Sequence, residues 1–284
     1  TRAEQLMQKA SNRADSEVID PADARFSSMV SPNSGKIYTL GFLAGCGIPL
    51  VIIFLIFLFN NKIRDEEIRK MTDLPIIGNI QHSTEKRSTI VLANPDSSIS
   101  EAFRLLRSRM QFFTKEANSP IILITSSIPG EGKTFTAINL ASAYSLLEKK
   151  TILVGFDLRK PKIYQDFNLS NEKGISTWLI GNDKLDDIIQ KTSFSNLSVI
   201  SAGPIPPNPS ELIALEKTTE LLKLLKTKYD YIIIDSSPIG VVSDTLHLAP
   251  LVDACLLVVR SGHTLRNMLE LTFKEIMNSE IKGA

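Results

Sequence analysis

The stretch TSSIPGEGKTF, from Thr125 to Phe135, has the composition of a loop that binds phosphate. It follows the apolar run PIILI and precedes TAINLASAYSLL, so it lies between a predicted strand and a predicted helix. Backbone N–H groups at a helix N-terminus attract anions, and glycines let the chain approach a phosphate closely. In such a loop Lys133 reaches the β- and γ-phosphates and the Thr134 hydroxyl binds Mg²⁺. The sequence therefore predicts a nucleotide-phosphate site here.

The strict form of this motif is G-x-x-x-x-G-K-[ST], and the chain departs from it at one position. Ser127 stands where the first glycine is expected, and Gly130 lies inside the loop instead. The strand–loop–helix context supports the prediction despite this mismatch. The residues predicted to contact the nucleotide are Ser127, Pro129, Gly130, Glu131, Gly132, Lys133, Thr134 and Phe135.

Two carboxylates follow apolar runs at the predicted ends of other strands. Asp235 ends YDYIIID, and Asp157 follows TILVGF. A carboxylate in this position can simply cap the next helix. Because strand ends line the ligand crevice of an open α/β sheet, we expect both to lie near Lys133 and Thr134, where Asp235 would help to hold Mg²⁺.

The composition narrows the function classes. The 284 residues carry a net charge of +1, which gives no reason to expect nucleic-acid binding. The two cysteines, Cys46 and Cys255, and the three scattered histidines argue against a disulfide framework and against a Cys- or His-based metal cluster. The chain begins with Thr1 rather than Met and stops soon after a helical pattern, so we expect a fragment of a longer protein.

From Ile121 onward, predicted strands alternate with predicted helices. The strands are IILITS, TILVGF, LSVISA, YIIIDS and ACLLVV, and the helices cover 133–147, 184–191, 209–226 and 265–278. Continuous apolar strand runs are typical of a sheet that is buried on both faces. The alternation predicts an α/β fold with a doubly wound, mainly parallel sheet.

Residues 37–61, IYTLGFLAGCGIPLVIIFLIFLFNN, carry no charge. A helix that crosses a bilayer needs about 20 mostly apolar residues, so a transmembrane helix is predicted. A buried core helix is rarely apolar on all faces, and a signal peptide would need a shorter apolar region with a small-residue cleavage site. Lys36 precedes the segment, whereas four basic residues follow it: Lys62, Arg64, Arg69 and Lys70. This asymmetry predicts that the residues after 62 face the cytoplasm.

A further helix is predicted at about 100–113, SEAFRLLRSRMQFF, with Ser98 or Ser100 as its cap. Glu101, Arg104 and Arg107 recur every three residues, so they share one side of this helix. By spacing alone, a solvated face with a local ion pair is the better interpretation.

Six motifs in order resemble the bacterial tyrosine kinases, or BY-kinases: SEAFRLLR, TSSIPGEGKTF, ILVGFDLRKP, SAGPIPPNPSELI, YDYIIIDSSPIG and DACLLVVRSGHT. The resemblance covers roughly residues 15–284. VIDPADARFSSMVSP, the apolar segment and RDEEIRKMTDLPIIGNI resemble the second transmembrane helix of a polysaccharide co-polymerase, a Wzz-type chain-length determinant, and its link to the kinase. The single motifs range from weak to fairly specific, and their order and spacing make the resemblance strong.

The resemblance implies a P-loop NTPase-type fold that uses ATP and Mg²⁺ to phosphorylate tyrosine. TSSIPGEGKTF then matches the Walker A loop, LVGFDLRKP the Walker A′ motif and IIIDSSP the Walker B motif. The implied catalytic residues are Lys133, Asp157 and Asp235, and the implied metal-binding residues are Thr134, Asp157 and Asp235. Arg159 and Lys160 would either contact phosphate or the acceptor, or be surface charges.

The same resemblance implies self-association. EAFRLLR matches an E-x-x-R-x-x-R motif of ring-forming kinases, which assigns Glu101, Arg104 and Arg107 to a subunit interface. In such rings one subunit phosphorylates the tyrosine-rich C-terminal tail of its neighbour, and cycling between the two states drives capsule or exopolysaccharide export and controls chain length. The implied partners are the export and polymerisation machinery, a cognate tyrosine phosphatase and the inner membrane of a bacterium, with no nucleic acid.

The chain departs from the family pattern in three places. Gly155 stands at the first of two aspartates in the Walker A′ motif, which would slow catalysis if that carboxylate takes part. Asp-x-Pro-Pro reads Asp235-Ser236-Ser237-Pro238 here, interpreted as a tolerable loop change. No tyrosine cluster lies near the C-terminus, which we interpret as truncation. GPIPPNPSELI is either a rigid turn or a wall of the nucleotide crevice.

Two alternative functions stay open at this point. Partitioning and septum-positioning ATPases share the fold, but they carry a lysine where this chain has Ile128. A co-polymerase scaffold whose assembly is controlled by nucleotide would need no phosphotyrosine. The predicted organisation is an extracytoplasmic co-polymerase end and linker (1–36), a transmembrane helix (37–61), a cytoplasmic connector (62–98) and a kinase domain (99–284).

Overall fold

The computed structural model describes residues 2–11, 32–59, 61–83 and 87–278. The chain divides into two compact units, residues 1–60 and 61–284. The predicted linker stretch IDPADA and the last six residues, SEIKGA, lie outside the described residues.

The described residues of the first unit form two helices. Helix α1 covers Arg2–Ser11 and helix α2 covers Ser34–Phe59, so α2 begins three residues before the predicted transmembrane segment and ends two residues before its end. The stretch Ser34–Ile56 has a mean hydropathy of 2.4, and none of its most apolar window is buried within the protein. By length and composition, α2 is a candidate membrane span.

The second unit is built on a six-stranded sheet in the order β3-β4-β2-β5-β1-β6. The pairs β4–β2, β2–β5, β5–β1 and β1–β6 are parallel, whereas β3 and β4 are antiparallel. The strands are β1 Ile121–Ser126, β2 Thr151–Gly155, β3 Gln190–Lys191, β4 Leu197–Ile200, β5 Tyr231–Asp235 and β6 Ala254–Val258. The mainly parallel α/β sheet predicted from the apolar runs is confirmed.

Helices cover both faces of this sheet. Phe103, Ile138 and their neighbours pack on one face, and Leu221, Leu225 and their neighbours pack on the other. Burial on both faces explains why the strands read as continuous apolar runs. The helices are α3 Asp65–Met71, α4 Ile90–Ala93, α5 Ser98–Phe113, α6 Lys133–Ser145, α7 Ile163–Asp166, α8 Ile175–Leu179, α9 Leu185–Ile188, α10 Pro209–Ile213, α11 Glu216–Lys228, α12 Asp244–Leu248 and α13 Arg266–Asn278.

Three local predictions were wrong. The helix predicted at 184–191 stops at Ile188, and the polar residues Gln190–Lys191 form strand β3 because they pair with β4. The helix predicted at 209–226 is two helices, α10 and α11. Helix α5 is capped by Ser97, whose side chain accepts from the Ser100 backbone N–H, rather than by Ser98 or Ser100.

The sheet order brings together the chain segments that matter for function. Strands β2, β5 and β1 are neighbours, and their carboxyl ends lie at one edge of the sheet. In the register, Asp235 lies beside Gly155 on one side and beside Ile124 on the other. The loop before α6, the residues after β2 and the end of β5 therefore converge at this edge.

The segment that opens the second unit is tied to the loop between β6 and α13. The backbone N–H of Ile63 donates to the Thr264 carbonyl at 2.9 Å, and that of Gly262 donates to the Ile63 carbonyl at 2.9 Å. The Arg266 N–H donates to the Asn61 carbonyl, also at 2.9 Å. Ile63 itself is fully buried. We call these contacts the 61–266 tie.

Candidate active site

The loop between β1 and α6 wraps closely because two of its glycines have left-handed backbones. Gly130 has φ +88° and Gly132, the N-cap of α6, has φ +100°. A Cβ at position 130 would lie 3.1 Å from His263 Nε2. The backbone thus leaves a cradle at the N-terminus of a thirteen-residue helix, where N–H groups and the helix dipole favour an anion.

The loop after β6 supports this cradle from outside. The hydroxyl of Thr264 donates to Glu131, whose other carboxylate oxygen accepts from the Ile128 N–H at 2.9 Å. Arg260 Nη1 donates to the Gly130 carbonyl at 3.1 Å. Glu131 is only 5% exposed, and burial raises its pKa although both hydrogen bonds oppose the rise. Glu131 therefore fixes the shape of the loop from within.

Lys133 joins the two carboxylates predicted from the strand ends. Its Nζ lies 2.8 Å from Asp157 Oδ2 and 3.3 Å from Asp235 Oδ1. Burial alone would lower the pKa of Lys133, but Asp235 and Asp157 outweigh it and raise that pKa. The ammonium is therefore charged at neutral pH, and it sits between two buried acids.

Thr134 completes the cluster. Its hydroxyl donates to Asp235 Oδ2 at 2.8 Å. One ammonium and two carboxylates leave a net negative charge, and the hydroxyl and carboxylate oxygens are the donor atoms that Mg²⁺ prefers. The residues predicted to hold the metal, Thr134, Asp157 and Asp235, therefore fit a divalent cation in both charge and chemistry.

The remaining residues predicted to contact the nucleotide lie around this cluster. Ser127 is fully buried, and its Oγ has no hydrogen-bond partner among the described residues. The Pro129 carbonyl lies 3.1 Å from His263 Nε2. Phe135 packs edge-on against Phe103 of α5, with ring centroids 5.8 Å apart. Phe135 therefore links the phosphate loop to α5 as well as facing the site.

Gly155 ends β2 beside Asp235. A Cβ at this position would lie 3.4 Å from the backbone N of Ala202 and 3.4 Å from the Ile200 carbonyl oxygen, in van der Waals contact. The position has no left-handed backbone that would require glycine. The local backbone therefore does not require glycine at this position. The absence of the first Walker A′ carboxylate changes the chemistry of the site and is not a consequence of the backbone conformation.

A second polar cluster lies next to Asp157, and the sequence did not indicate its centre. Asp244, at the start of α12, is fully buried and accepts from Arg159 Nε at 2.8 Å and from Arg159 Nη2 at 3.1 Å. Ser210, from the predicted GPIPPNPSELI segment, donates to Asp244 Oδ1 at 2.5 Å. That segment therefore contributes a side chain beside the site, and Arg159, which is itself partly exposed, forms an ion pair with a buried carboxylate.

A cavity of about 640 Å³ adjoins the phosphate loop. Glu131, Gly132 and Phe135 line one side, residues 74–83 of the connector line another, and residues 256–261 line a third. Cavities of about 300–1,000 Å³ suit small organic ligands. No role in the site was predicted for the connector, because its contact with the loop depends on the tertiary fold.

The three residues predicted to form a subunit interface lie on α5. Glu101 is exposed and forms an ion pair with Arg104, whose Nη2 also donates to the Pro95 carbonyl at 2.9 Å. Arg107 is half-buried, and its Nη1 donates to the Ala143 carbonyl of α6 at 2.5 Å. Arg107 therefore has an internal packing role, and the interface remains a prediction.

The chain is similar in sequence to proteins of a known family. The sequence model of the AAA domain family matches residues 119–261. Tyrosine-protein kinase YwqD of Bacillus subtilis is 36% identical over 182 residues, covering 64% of this chain and 77% of that protein. Tyrosine-protein kinase etk of Escherichia coli is 34% identical over 206 residues, covering 72% of this chain but 28% of the relative.

Two solved structures have the same fold. The chimerical protein CapA2B2 superposes with a TM-score of 0.72 at 36% identity, covering 77% of this chain and 95% of that one. The kinase domain of the E. coli tyrosine kinase ETK superposes with a TM-score of 0.70 at 29% identity, covering 77% of this chain and 89% of that one.

Proposed function

The chain belongs to the bacterial tyrosine-protein kinases, and on that premise we propose that Lys133, Thr134, Asp157 and Asp235 carry out the transfer of phosphate from ATP to tyrosine. The observation that carries this proposal is the contact of Lys133 with both strand-end carboxylates at the N-terminus of α6. These four side chains come from three chain segments that only the sheet order brings together.

Phosphoryl transfer depends on positioning and charge neutralisation rather than on covalent chemistry by the protein. The phenolic oxygen of the acceptor attacks the γ-phosphorus of ATP, and the bond from that phosphorus to the bridging oxygen of ADP breaks. Asp157, which is buried beside the loop, accepts the phenolic proton. Lys133 turns from the carboxylates to the β- and γ-phosphates, which frees Asp157 for that role.

Thr134, Asp157 and Asp235 would hold Mg²⁺, which, when bound, neutralises phosphate charge during the transfer. The 640 Å³ cavity would receive the base and ribose of the nucleotide, because it opens beside Gly132 where the phosphates begin. The nucleotide would then contact the connector as well as the α/β domain.

The proposed setting is the inner membrane of a bacterium, with α2 as the anchor and the kinase domain in the cytoplasm. The proposed acceptors are tyrosines of neighbouring copies in a ring formed through Glu101, Arg104 and Arg107. The proposed biological role is the control of capsule or exopolysaccharide polymerisation and export, in a chain fused to a Wzz-type co-polymerase region. A cognate phosphatase would reset the phosphorylated state.

The test uses the full chain in detergent with ATP, Mg²⁺ and a tyrosine-containing acceptor peptide, and phosphotyrosine is mapped by mass spectrometry. Lys133→Met should reduce phosphotyrosine to background, because it removes the cation that neutralises the phosphates. Lys149→Met is the matched control, since Lys149 is exposed and lies just before the opposite end of β2. This control should keep wild-type activity.

Phosphotyrosine in the Lys133→Met variant would contradict the assignment. Hydrolysis of ATP by the wild type without any phosphotyrosine would point instead to a nucleotide-gated scaffold. Far-UV circular dichroism of each variant separates loss of chemistry from loss of fold.

A further inference from the structure

Ser237 occupies the position at which the Asp-x-Pro-Pro pattern has its first proline. Ser237 is 1% exposed, and its Oγ lies 3.2 Å from Asp157 Oδ1 and 3.3 Å from Asp244 Oδ2. A hydroxyl carries one proton and two lone pairs, so it donates to one of these carboxylates at a time. Ser237 therefore stands between an acid of the active site and an acid outside it.

The Asp244 side chain is held in place by several hydrogen bonds. It is fully buried, and its two oxygens accept from Arg159 and Ser210 in addition to Ser237. Charge-assisted hydrogen bonds of this kind are about twice as strong as neutral ones. Because Arg159 and Ser210 already donate to Asp244, its charge stays compensated when the Ser237 hydroxyl donates to Asp157 instead.

The backbone of Ser237 is held by other groups. Its carbonyl accepts from Thr125 Oγ1 at 2.9 Å and from Thr245 Oγ1 at 2.6 Å. These bonds do not involve the Ser237 side chain. Removal of the hydroxyl therefore changes the contact with Asp157 and leaves the course of the chain in place.

Asp157 has three partners, one of which changes during the proposed reaction. Oδ2 contacts Lys133, whereas Oδ1 accepts from the Lys160 backbone N–H at 3.0 Å and faces Ser237. When Lys133 turns to the phosphates, its hold on Asp157 is lost. The Lys160 N–H and the Ser237 hydroxyl are then the groups that keep the carboxylate oriented.

We propose that Ser237 is a positioning residue, whose hydroxyl donates to Asp157 and holds that carboxylate toward the reacting atoms. This inference rests on the proposed function of Asp157. It replaces the interpretation of Ser237 as a tolerable loop change, since a proline at this position would supply no hydroxyl. This chain therefore supports its remaining Walker A′ carboxylate with a side chain that the family pattern does not provide.

The kinetic test compares the full chain with Ser237→Ala and with Ser236→Ala. Ser236 is a matched control because it is fully buried and its hydroxyl bonds the Ile124 and Ser237 carbonyls, whereas among the described residues no hydrogen bond joins its side chain to Asp157. Ser237→Ala should lower kcat by about tenfold with little change in KM for ATP, because misplacement of a reacting group mainly affects the chemical step. Ser236→Ala should keep the wild-type kcat.

A double-mutant cycle separates positioning from general damage. In an Asp157→Asn background, Ser237→Ala should cause no further loss of kcat, because the group that it positions is already disabled. The same loss in both backgrounds would overturn the proposal. An unchanged kcat in Ser237→Ala, or an equal loss in Ser236→Ala, would also overturn it.

A measurement without turnover keeps this proposal distinct from the proposed function. Hydrogen exchange of the Lys160 amide, which donates to Asp157, should become faster in Ser237→Ala and stay unchanged in Ser236→Ala. If the wild type makes no phosphotyrosine, the proposed function fails, and this exchange rate still tests the positioning. Unchanged exchange in Ser237→Ala would overturn it.

Discussion

Asp244 is a buried carboxylate whose charge is balanced by a single guanidinium. Burial by itself would raise the pKa of Asp244, but hydrogen bonds from Arg159 and Ser210 outweigh it and lower the pKa below its usual value. Removal of one partner of an ion pair leaves the other charge uncompensated, and the cost rises with the burial of the remaining partner. Arg159 is partly exposed, which moderates the cost for the guanidinium.

The lowered pKa predicts how the stability of the protein depends on pH. An acid whose pKa is lower when folded adds stability above its unfolded value of about 3.9, and that stability is lost as the pH falls through the folded value. Asp244→Asn should therefore lower the free energy of unfolding by about 1–3 kcal/mol near neutral pH. The difference in free energy of unfolding between this variant and the wild type should become smaller below pH about 4.

Urea unfolding of the detergent-solubilised chain, followed by the fluorescence of Trp178, the single tryptophan, measures this difference. Asp186→Asn is the matched control, because Asp186 pairs with Lys228 at 2.8 Å but is highly exposed. Exposed ion pairs contribute little, so this variant should stay close to wild type at every pH. A difference for Asp244→Asn that is the same at pH 3 and pH 7 would contradict the prediction.

The cluster of Lys133, Thr134 and the two strand-end carboxylates could be predicted from the sequence, but the second cluster could not. Lys133, Thr134, Asp157 and Asp235 stand in motifs whose spacing indicates their chemistry. Asp244 stands in no such motif, and its partners Arg159 and Ser210 are separated from it by 85 and 34 positions. Contacts over such separations depend on the sheet order, which the sequence pattern did not supply.

Helix α5 combines three tasks along one sixteen-residue element. Phe103, Leu106 and Met110 recur on its buried side and pack toward the sheet. Arg107 joins it to α6, and Glu101 lies on the exposed side. Because Phe103 also contacts Phe135 beside the phosphate loop, the position of α5 affects the nucleotide site.

Ser97 sets where this helix begins. Its side chain accepts from the Ser100 N–H at 3.1 Å, which satisfies one of the unpaired donors of the first turn. Ser97→Ala should lower the free energy of unfolding by about 1 kcal/mol. Urea unfolding checks this, with Ser98→Ala as control because Ser98 is exposed. Equal stability of the two variants would contradict Ser97 as the cap.

Element bounds were predictable where hydrophobic periodicity was strong. The predicted IILITS coincides with β1, and the α6 helix begins at the predicted Lys133. Strand β3 has two polar residues and no apolar period, so its only determinant is the pairing with β4. The cap of α5 was misplaced because the sequence offers three nearby serines, which composition alone does not distinguish.

At the scale of the whole molecule, the 61–266 tie connects the start of the second unit with the phosphate loop. Asn61 and Ile63 are bonded to one side of the loop after β6, and Thr264 and Arg260 of that loop contact Glu131 and Gly130. Two successive contacts therefore connect Asn61, two positions after α2, with the backbone of the predicted phosphate loop.

Ile63 is the apolar anchor of this tie. Ile63→Ala should lower the free energy of unfolding by about 2–5 kcal/mol, because it removes a fully buried side chain and leaves a cavity. It should also weaken the binding of a fluorescent ADP analogue. Ile180→Ala is the control, since Ile180 is 54% exposed. Wild-type stability of the Ile63 variant would show that the tie contributes nothing.

The tie has a thermodynamic consequence that runs in both directions. Binding free energies at two coupled sites are reciprocal, so any nucleotide that strengthens the pairing of residues 61–63 is itself bound more tightly when that pairing is held from outside. The factor by which nucleotide strengthens the pairing equals the factor by which the pairing raises nucleotide affinity. For such a nucleotide, a change imposed on the pairing of residues 61–63 would change its affinity by the same factor.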